Sequence, residues 1–160
     1  MLIFFFDYKG PLLIDFIPQG QTITSPYYCK LLDNLNRRYK IKRRGQKHLG
    51  VHLIQDGASS HTSNFTTKHL RELDINTLQH PPYSPDLSPC DYAVFGPLKR
   101  MLRGRRFPTL QHLQKEAIHI LNKKIKPKIY KTAMFDLARR WQTVKNCRGT
   151  YLTHALLNAK

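Results

Sequence analysis

The order of apolar and polar segments is the feature that most constrains how this chain can fold. Short apolar runs of strand length are separated by stretches in which apolar residues recur at steps of three and four, as on one face of a helix. The first predicted elements are two strands, over 2–6 and 11–17, and a helix capped by Thr24 or Ser25. A strand over 51–56, a helix within 62–75 and a strand over 75–80 follow. Strands that alternate with helices after a hairpin predict a mixed sheet with helices packed on it.

Three amphipathic segments follow the proline-rich stretch that ends at Pro89. Residues 90–104 have helical spacing, and Gly96–Pro97 predicts a kink in that helix. The next helix begins at Pro108, and the last spans 130–147. The predicted core faces of the last two helices are Leu110, Leu113, Ala117 and Leu121, and Tyr130, Met134, Leu137, Trp141 and Val144.

The charge balance indicates the kind of partner. The chain has 27 Lys and Arg against 10 Asp and Glu, a formal net charge of +17. Such a field favours nucleic acid, whereas membrane binding would need an anchor helix or lipid signal, and neither stands out. The candidate nucleic-acid contacts are Arg37, Arg38, Lys40, Lys42, Arg43, Arg44 and Lys47, and Lys99, Arg100, Arg103, Arg105 and Arg106. The first group also suits a solvated helix end or a nuclear-import patch, so its role stays open.

The cysteines and the opening segment bear on the cellular compartment. Cys29, Cys90 and Cys147 show no paired spacing, which predicts neither a zinc site nor a disulfide framework. We therefore expect an intracellular, reduced protein. The apolar opening breaks at Asp7 and lacks a preceding basic segment, so it is too short for a signal peptide core or a membrane span.

Two aspartates are candidates for chemistry. Asp56 ends a predicted buried strand, and Asp91 lies near the start of the kinked helix, with thirty-four residues between them. The order strand, helix, strand, helix fits in that interval and can return the chain to the same rim of the sheet. Two carboxylates brought together favour a hard divalent cation, and a pair of such ions suits phosphoryl transfer. The alternative, that Asp56 caps a turn and Asp91 a helix, stays open on spacing alone.

Two sequence blocks around these aspartates resemble a known family. "QDGASSH" and "HPPYSPDLSPCDYAVF" are similar to the second and third acidic motifs of mariner-type transposases, in the Tc1/mariner group. The family's motifs usually read His-Asp-Asn-Ala-Arg-Pro-His and Pro-Tyr-Ser-Pro-Asp-Leu-Ala-Pro-Ser-Asp-Tyr, with the same spacing between the acidic pair. "PQGQTITSPYYCKLLDNLN" and "RRWQTVKNCRGTYL" extend the likeness from about Phe4 to Tyr151.

The resemblance implies an α/β, RNase H-like mixed sheet flanked by helices and a two-metal centre that cleaves DNA and transfers strands. Asp56 and Asp91 would be the second and third catalytic ligands of Mg²⁺ or Mn²⁺. The implied partners are transposon ends and target DNA, with a homodimer as in the family, in the nucleus. Residues 1–107 would form a partial catalytic core and 108–160 C-terminal helices on the same domain. The remaining motif residues that match are His61, Tyr83, Ser84, Pro85 and Asp86.

Departures from the family pattern concern the catalytic centre. The family's first aspartate, in a motif resembling Gly-Asp-Glu-Lys-Trp, and its helix-turn-helix modules have no counterpart, and neither Asp7 nor Asp15 is an obvious substitute. We therefore expect an N-terminally truncated fold without its first central strand. Gln55, Gly57 and Ser59 replace the family's His, Asn and Arg, which weakens the groups that orient the second aspartate.

The working hypothesis is a transposase catalytic domain with impaired catalysis and residual nucleic-acid binding. The alternative is a host-adopted, non-catalytic DNA-binding or dimerisation protein. An RNA-binding basic protein would explain the charge, but it would not explain the paired acidic blocks. Nothing in the residues resembles a methyltransferase, so likeness to a SET-domain and mariner fusion would concern its transposase half only.

Overall fold

A computed structural model describes residues 1–45 and 50–146 of the chain. Two of the residues singled out above, Lys47 and Cys147, lie outside these ranges. The chain divides into two compact units. The first comprises Met1–Phe5 and Leu12–Pro82, and the second comprises Phe6–Pro11 together with the chain from Tyr83 onward.

The chain begins with the expected hairpin. Strand β1 (Leu2–Asp7) pairs with strand β2 (Gly10–Phe16) in a two-stranded sheet. The Asp7 carboxylate accepts a hydrogen bond of 2.8 Å from the backbone N–H of Lys9, which closes the turn. Gly10 follows with a φ of +117°, a backbone conformation that residues with a side chain rarely adopt.

Helix α1 (Ser25–Lys42) forms as its sequence predicts. The Thr24 side chain caps the helix by accepting from the N–H of Tyr27, and proline occupies the first turn, where its missing N–H costs nothing. One face of the helix is buried, and its members are Tyr28, Cys29, Leu31, Leu32 and Leu35. Tyr39 has the same helical spacing as this face but is only partly buried.

The rest of the first unit is a strand, two helices and a strand. The elements are β3 (Val51–Gln55), α2 (Ser59–Thr62), α3 (Asn64–Glu72) and β4 (Ile75–Gln79). Strands β3 and β4 are parallel, with Val51 opposite Ile75 and Gln55 opposite Gln79. Parallel strands need a crossover between them, and α2 and α3 supply it.

The core of the first unit joins residues from both strand pairs and both long helices. Its buried members are Ile3, Leu12, Leu13, Ile17, Tyr28, Leu31, Leu32, Leu35, Leu53, Leu70 and Ile75. Phe65 has the helical spacing of a core residue in α3, but it is 59% exposed. Thr66 is fully buried in its place, and its hydroxyl donates to the carbonyl of Ser60 over 2.6 Å.

The mixed α/β composition is confirmed, but the expected single mixed sheet is corrected. Within the described ranges, β1 pairs with β2 and β3 pairs with β4, giving two separate two-stranded sheets. No strand among the described residues hydrogen-bonds to both pairs. The two sheets are therefore joined through the shared apolar core instead of through a continuous ladder.

The described part of the second unit consists of helices and turns, apart from its part of the hairpin. A single 3₁₀ turn, Pro85–Leu87, precedes a π-helix, Cys90–Phe95, which continues into α4 (Gly96–Leu102). The predicted kink at Gly96–Pro97 is thus a change from π-helix to α-helix, with the proline in the first turn of α4. Helix α5 (Leu110–His119) then passes into a second π-helical segment, Ile120–Lys124.

Helix α6 (Pro127–Asn146) completes the second unit among the described residues. Tyr130 is buried, and its hydroxyl donates to the carbonyl of Leu121 over 2.6 Å. Tyr92 likewise donates to the carbonyl of Ala133, also over 2.6 Å. One predicted core position was wrong, because Leu110 is 55% exposed. It lies at the first residue of α5, where the helix has not yet reached the core.

Cys29 and Cys90 are free thiols. Among the described helices, none combines the length and the apolarity that crossing a membrane requires.

Candidate functional site

The carboxyl end of the parallel strand pair gathers the polar residues of the first unit. Because Gln55 lies opposite Gln79, the residues that follow them, Asp56 and His80, leave the sheet at the same edge. This is the edge at which α/β folds place ligand-binding residues, because the connections leaving the strands converge there.

Asp56 is oriented by its local backbone and by one imidazole. Its Oδ1 accepts a hydrogen bond of 3.1 Å from the N–H of Ala58 and lies 2.7 Å from Nδ1 of His61. The side chain of Asp56 is 67% exposed, whereas that of His61 is 16% exposed. Both polar contacts are made by Oδ1, so the aspartate faces solvent in a restrained orientation.

Tyr28 and Gln55 hold His61 in place. The Tyr28 ring lies 4.2 Å from the imidazole, centroid to centroid, at an interplanar angle of 35°. The Tyr28 hydroxyl donates to Oε1 of Gln55 over 2.7 Å, and Nε2 of Gln55 donates to the carbonyl of His61 over 3.2 Å. Burial and the nearby Asp56 charge raise the pKa of Tyr28, so its hydroxyl keeps the proton that it donates.

A groove of about 630 Å³ opens beside Asp56 within the first unit. Asp56 is the one carboxylate in its lining, which also includes His61, Arg71 and His80. Nε2 of His80 is buried and makes no hydrogen bond within the part of the chain that the structure describes.

Asp91 belongs to the second unit, so the two aspartates are described separately. It is exposed in the first turn of the π-helix, and its backbone N–H donates to the carbonyl of Ser88 over 3.0 Å. Burial, with a smaller contribution from the Asp91 charge, raises the pKa of the neighbouring Cys90 to about 12. Cys90 is therefore a protonated thiol near neutral pH.

The other motif residues surround the 3₁₀ turn. Tyr83 is 90% exposed and has a φ of +55°, an uncommon value for a tyrosine. The carbonyl of Ser84 accepts from the N–H of Leu87 over 3.0 Å, and Pro85 begins the turn. The carbonyl of Asp86 accepts from Nη1 of Arg140 over 3.1 Å, which ties this motif to helix α6.

The predicted basic contacts lie on two helix ends. Arg37, Arg38, Lys40, Lys42 and Arg44 are exposed on or just after α1, and Lys99, Arg100, Arg103, Arg105 and Arg106 are exposed on or just after α4. Several have protein partners: Lys42 donates to the carbonyl of Leu12, Arg43 to the carbonyl of Lys42, and Arg105 to the Glu116 carboxylate. That hydrogen bond from Arg105 lowers the pKa of Glu116. Their contact with nucleic acid stays a prediction.

The side chains around Asp56 offer few ligands to a divalent metal ion. No group of three or more His, Cys, Asp or Glu side chains that could hold an ion occurs in residues 1–45 and 50–146. A hard cation takes mainly oxygen ligands, and the groove offers the Asp56 carboxylate alone among acidic side chains. These residues by themselves do not make a complete metal site.

Sequence reasoning gave no supporting role to Tyr28 or Gln55, which belong to this network, or to His80, which lines the groove. Tyr28 has the helical spacing of a core residue of α1, and its ring is buried, but its hydroxyl reaches Gln55 at the end of β3. Gln55 was counted as a lost histidine, although its amide connects Tyr28 to His61. The one available signal for His80 was its position directly after a strand that parallels β3.

The sequence of this chain is similar to those of known transposases. The family model described as "Transposase (partial DDE domain)" matches residues 1–49. Human "Histone-lysine N-methyltransferase SETMAR" is 32% identical over 155 residues, 94% of this chain and 22% of that protein. "Mariner Mos1 transposase" of Drosophila mauritiana is 30% identical over 155 residues, 95% of this chain and 44% of that protein. This chain is similar to the catalytic region of mariner transposases.

Solved mariner structures share this fold. The structure titled "Structure of Mos1 transposase catalytic domain and Raltegravir with Mn" has a TM-score of 0.85 at 28% identity and covers 95% of this chain and 81% of its own. The "Mos1 transposase paired-end complex with left transposon end" has a TM-score of 0.86 at 29% identity, over 94% of this chain and 44% of its own. The mixed α/β fold is therefore that of the mariner catalytic domain, which is RNase H-like.

This chain matches only part of each curated relative. The chain spans less than half the length of each of the two curated relatives. Manganese, magnesium and transposon-end DNA appear in the titles of Mos1 structures and are properties of those complexes. The likeness to the human protein concerns its transposase part.

Proposed function

We propose that this chain is the catalytic region of a mariner-like DNA transposase, and that in its present form it binds DNA but cleaves it poorly. The observation that carries the proposal is the position of Asp56. This residue directly follows β3, faces a groove and is held by His61 at 2.7 Å, within a fold shared with mariner catalytic domains.

In the proposed activity, Asp56 and Asp91 would be two of the acidic ligands for Mg²⁺ or Mn²⁺. Bound divalent ions would supply activation of an attacking oxygen and stabilisation of a leaving one. The part of this chain is to hold the Asp56 carboxylate at a fixed angle, through the N–H of Ala58 and the imidazole of His61.

Two observations support impaired catalysis. The groove carries one carboxylate, where the family uses three acidic residues in all. The amide of Gln55, at the family's histidine position, is already committed to Tyr28 and to the carbonyl of His61. We further propose that an additional strand lies between β1 and β3 in a complete domain, because the two described sheets are otherwise not joined by hydrogen bonds.

The experiment is a cleavage assay on linear and nicked DNA with Mg²⁺ or Mn²⁺. The 160-residue chain, Asp56→Ala, Asp91→Ala and the control Glu72→Gln are compared, with DNA binding measured in parallel. We expect binding by all four proteins and weak or absent cleavage. Robust cleavage that Asp56→Ala abolishes would overturn the impaired state while supporting the catalytic role. If the unaltered chain does not bind DNA, both parts of the proposal are overturned, namely the transposase catalytic region and its residual DNA binding.

A non-catalytic DNA-binding role is the second candidate. It is favoured by the many basic residues that are exposed on the ends of α1 and α4. Preference for one DNA sequence over another in competition binding would favour this host-adopted role, whereas uniform binding would favour the impaired transposase. We also propose a nuclear location and self-association, to be checked by imaging the tagged chain and by measuring its mass in solution.

A further inference from the structure

The hairpin turn and helix α6 bring two aromatic rings and two ammonium groups together in the second unit. The rings of Tyr8 and Phe135 meet edge to face, with centroids 6.4 Å apart and an interplanar angle of 84°. Nζ of Lys9 lies 5.4 Å from the Tyr8 ring centre, and Nζ of Lys131 lies 5.9 Å from the Phe135 ring centre. These four residues are called the hairpin–helix platform below.

Buried contacts support the platform from beneath. The Phe6 ring packs on the Tyr130 ring with centroids 5.2 Å apart. A methyl group on Gly10 would lie 3.6 Å from the Tyr130 ring, and the φ of +117° at Gly10 disfavours any other residue. Because Tyr130 is buried and hydrogen-bonded to Leu121, the hairpin turn rests on a fixed part of α6.

Three of the four platform side chains are exposed. Phe135 is 68% exposed, and both Lys9 and Lys131 are exposed, while Tyr8 is half-buried. A phenylalanine left so exposed adds little to the core, since apolar side chains stabilise the fold in proportion to the area they bury. Its packing against Tyr8 fixes the ring orientation and leaves area for a ligand.

The chemistry of the platform selects its ligand. A phenyl ring cannot hydrogen-bond to a phosphate, but it can stack on the face of an unpaired base, and single-stranded DNA sites combine such rings with cationic side chains. Bases in a duplex are already stacked on one another, so their faces are closed to Phe135. We propose that the hairpin–helix platform binds single-stranded DNA, with a base stacked on Phe135 and phosphates held by Lys9 and Lys131.

This binding does not depend on cleavage or on the groove beside Asp56. It would operate in an impaired enzyme and in a non-catalytic binding protein alike. A cleavage assay that yields no product would therefore not contradict DNA binding at the platform. A negative result for the platform would likewise not contradict the role of Asp56.

The test measures binding of fluorescein-labelled (dT)₂₀, (rU)₂₀ and a 20-base-pair duplex to the full chain by fluorescence anisotropy. We expect Phe135→Ala to raise the Kd for (dT)₂₀ about tenfold, the lower part of the range for one stacked base. Duplex binding should change less than twofold, and Phe135→Trp should restore affinity because indole also stacks. The matched control is Phe65→Ala, which removes a ring that is 59% exposed on α3.

A second pair of variants tests the charges. Lys131→Gln should weaken (dT)₂₀ binding more than Lys68→Gln, which removes an exposed lysine one helical turn from Phe65. Photocrosslinking of an iodouridine-substituted oligonucleotide to the unaltered chain should label Tyr8 or Phe135, whatever the variants do to folding. The proposal is overturned if Phe135→Ala and Phe65→Ala have equal effects, if crosslinks fall elsewhere, or if the Phe135 effect appears with (rU)₂₀ alone. It is likewise overturned if Phe135→Ala changes the oligomeric mass of the protein in solution but leaves its affinity for (dT)₂₀ unchanged.

Discussion

Nδ1 of His61 lies 2.7 Å from Oδ1 of Asp56, so one oxygen of the candidate catalytic carboxylate is held by a neighbouring imidazole. The imidazole in turn packs against the buried Tyr28 ring at 4.2 Å. The aspartate is exposed, yet its orientation is set by residues that are mostly buried. Such support is what a metal-binding carboxylate requires, because groups that contact a ligand residue govern its geometry.

His61→Ala should weaken the binding of Mn²⁺ to the chain by roughly tenfold, the lower end of the effect usual for groups that orient a metal ligand. The physical reason is that Asp56 would keep one hydrogen bond, from Ala58, and lose the contact that fixes its rotation. Titration calorimetry with Mn²⁺ measures the change. The matched control is His69→Ala, which breaks a 2.9 Å contact with Asp33 elsewhere in the same unit. Equal losses in the two variants would contradict the role of His61.

Thr66→Val should destabilise the protein by about 1–3 kcal/mol, because a buried carbonyl, that of Ser60, loses its donor. The shape of the side chain is nearly unchanged, so packing contributes little. Urea denaturation followed by circular dichroism gives the free energy of unfolding. Thr67→Val serves as the control, since the Thr67 hydroxyl bonds one turn back along its own helix and is only half-buried. A loss as large in Thr67→Val would show that the Ser60 contact is not special.

Stability should fall as the pH rises from about 9 to about 12. Burial raises the pKa of Cys90 from 9.0 to about 12 and that of Tyr92 from 10.0 to about 12. Between the unfolded and folded values the folded state binds more protons, so raising the pH favours unfolding. Below pH 9 both groups are protonated in either state, and their contribution is constant.

Tyr92→Phe isolates one of these protons. The variant loses the hydrogen bond to the carbonyl of Ala133 and should be less stable at pH 8. Above pH 10 its stability should decline less steeply than that of the unaltered chain. Melting temperatures between pH 8 and pH 11 give both quantities. Parallel curves for the two proteins would refute the assignment of the pH dependence to Tyr92.

Replacing both Arg38 and Lys40 by glutamine should reduce the salt dependence of duplex DNA binding. Each lost phosphate contact lowers the magnitude of the slope of log K against log salt by about 0.9. Anisotropy titrations over a range of NaCl concentrations give the slope. Lys68→Gln, on α3, is the control for loss of an exposed charge outside the basic group. A slope that the double variant leaves unchanged would remove α1 from the DNA-binding surface.

Local chemistry made much of the fold predictable. Thr24 caps α1 and Pro26 occupies its first turn as the sequence indicates, because both effects depend on neighbouring residues alone. The hairpin and the parallel strand pair also lie close to their predicted bounds. The errors concern positions whose burial depends on distant elements. Phe65 and Leu110 have helical spacing, but each lies where no other element covers it.

The residues of the candidate site were likewise predictable where their contacts are local in sequence. Asp56 and His61 are five residues apart, and their contact forms within one loop and a short helix, so motif resemblance was enough to single them out. The contributions of Tyr28 and His80 depend on long-range packing. The first reaches Gln55 across 27 positions in the chain, and the second is placed by pairing of β3 with β4. No local pattern encodes such contacts, because they arise only when separate elements pack together.

The sequence by itself determined the elements, the basic charge, the two acidic motifs and the family resemblance, since these depend on composition, spacing and short-range hydrogen bonds. Only the tertiary structure decided that the strands form two separate sheets, that Tyr28 supports His61, and that the hairpin turn presents Tyr8 beside Phe135. The physical reason is that side chains distant in sequence meet through packing of a shared core, and packing depends on all of its members at once.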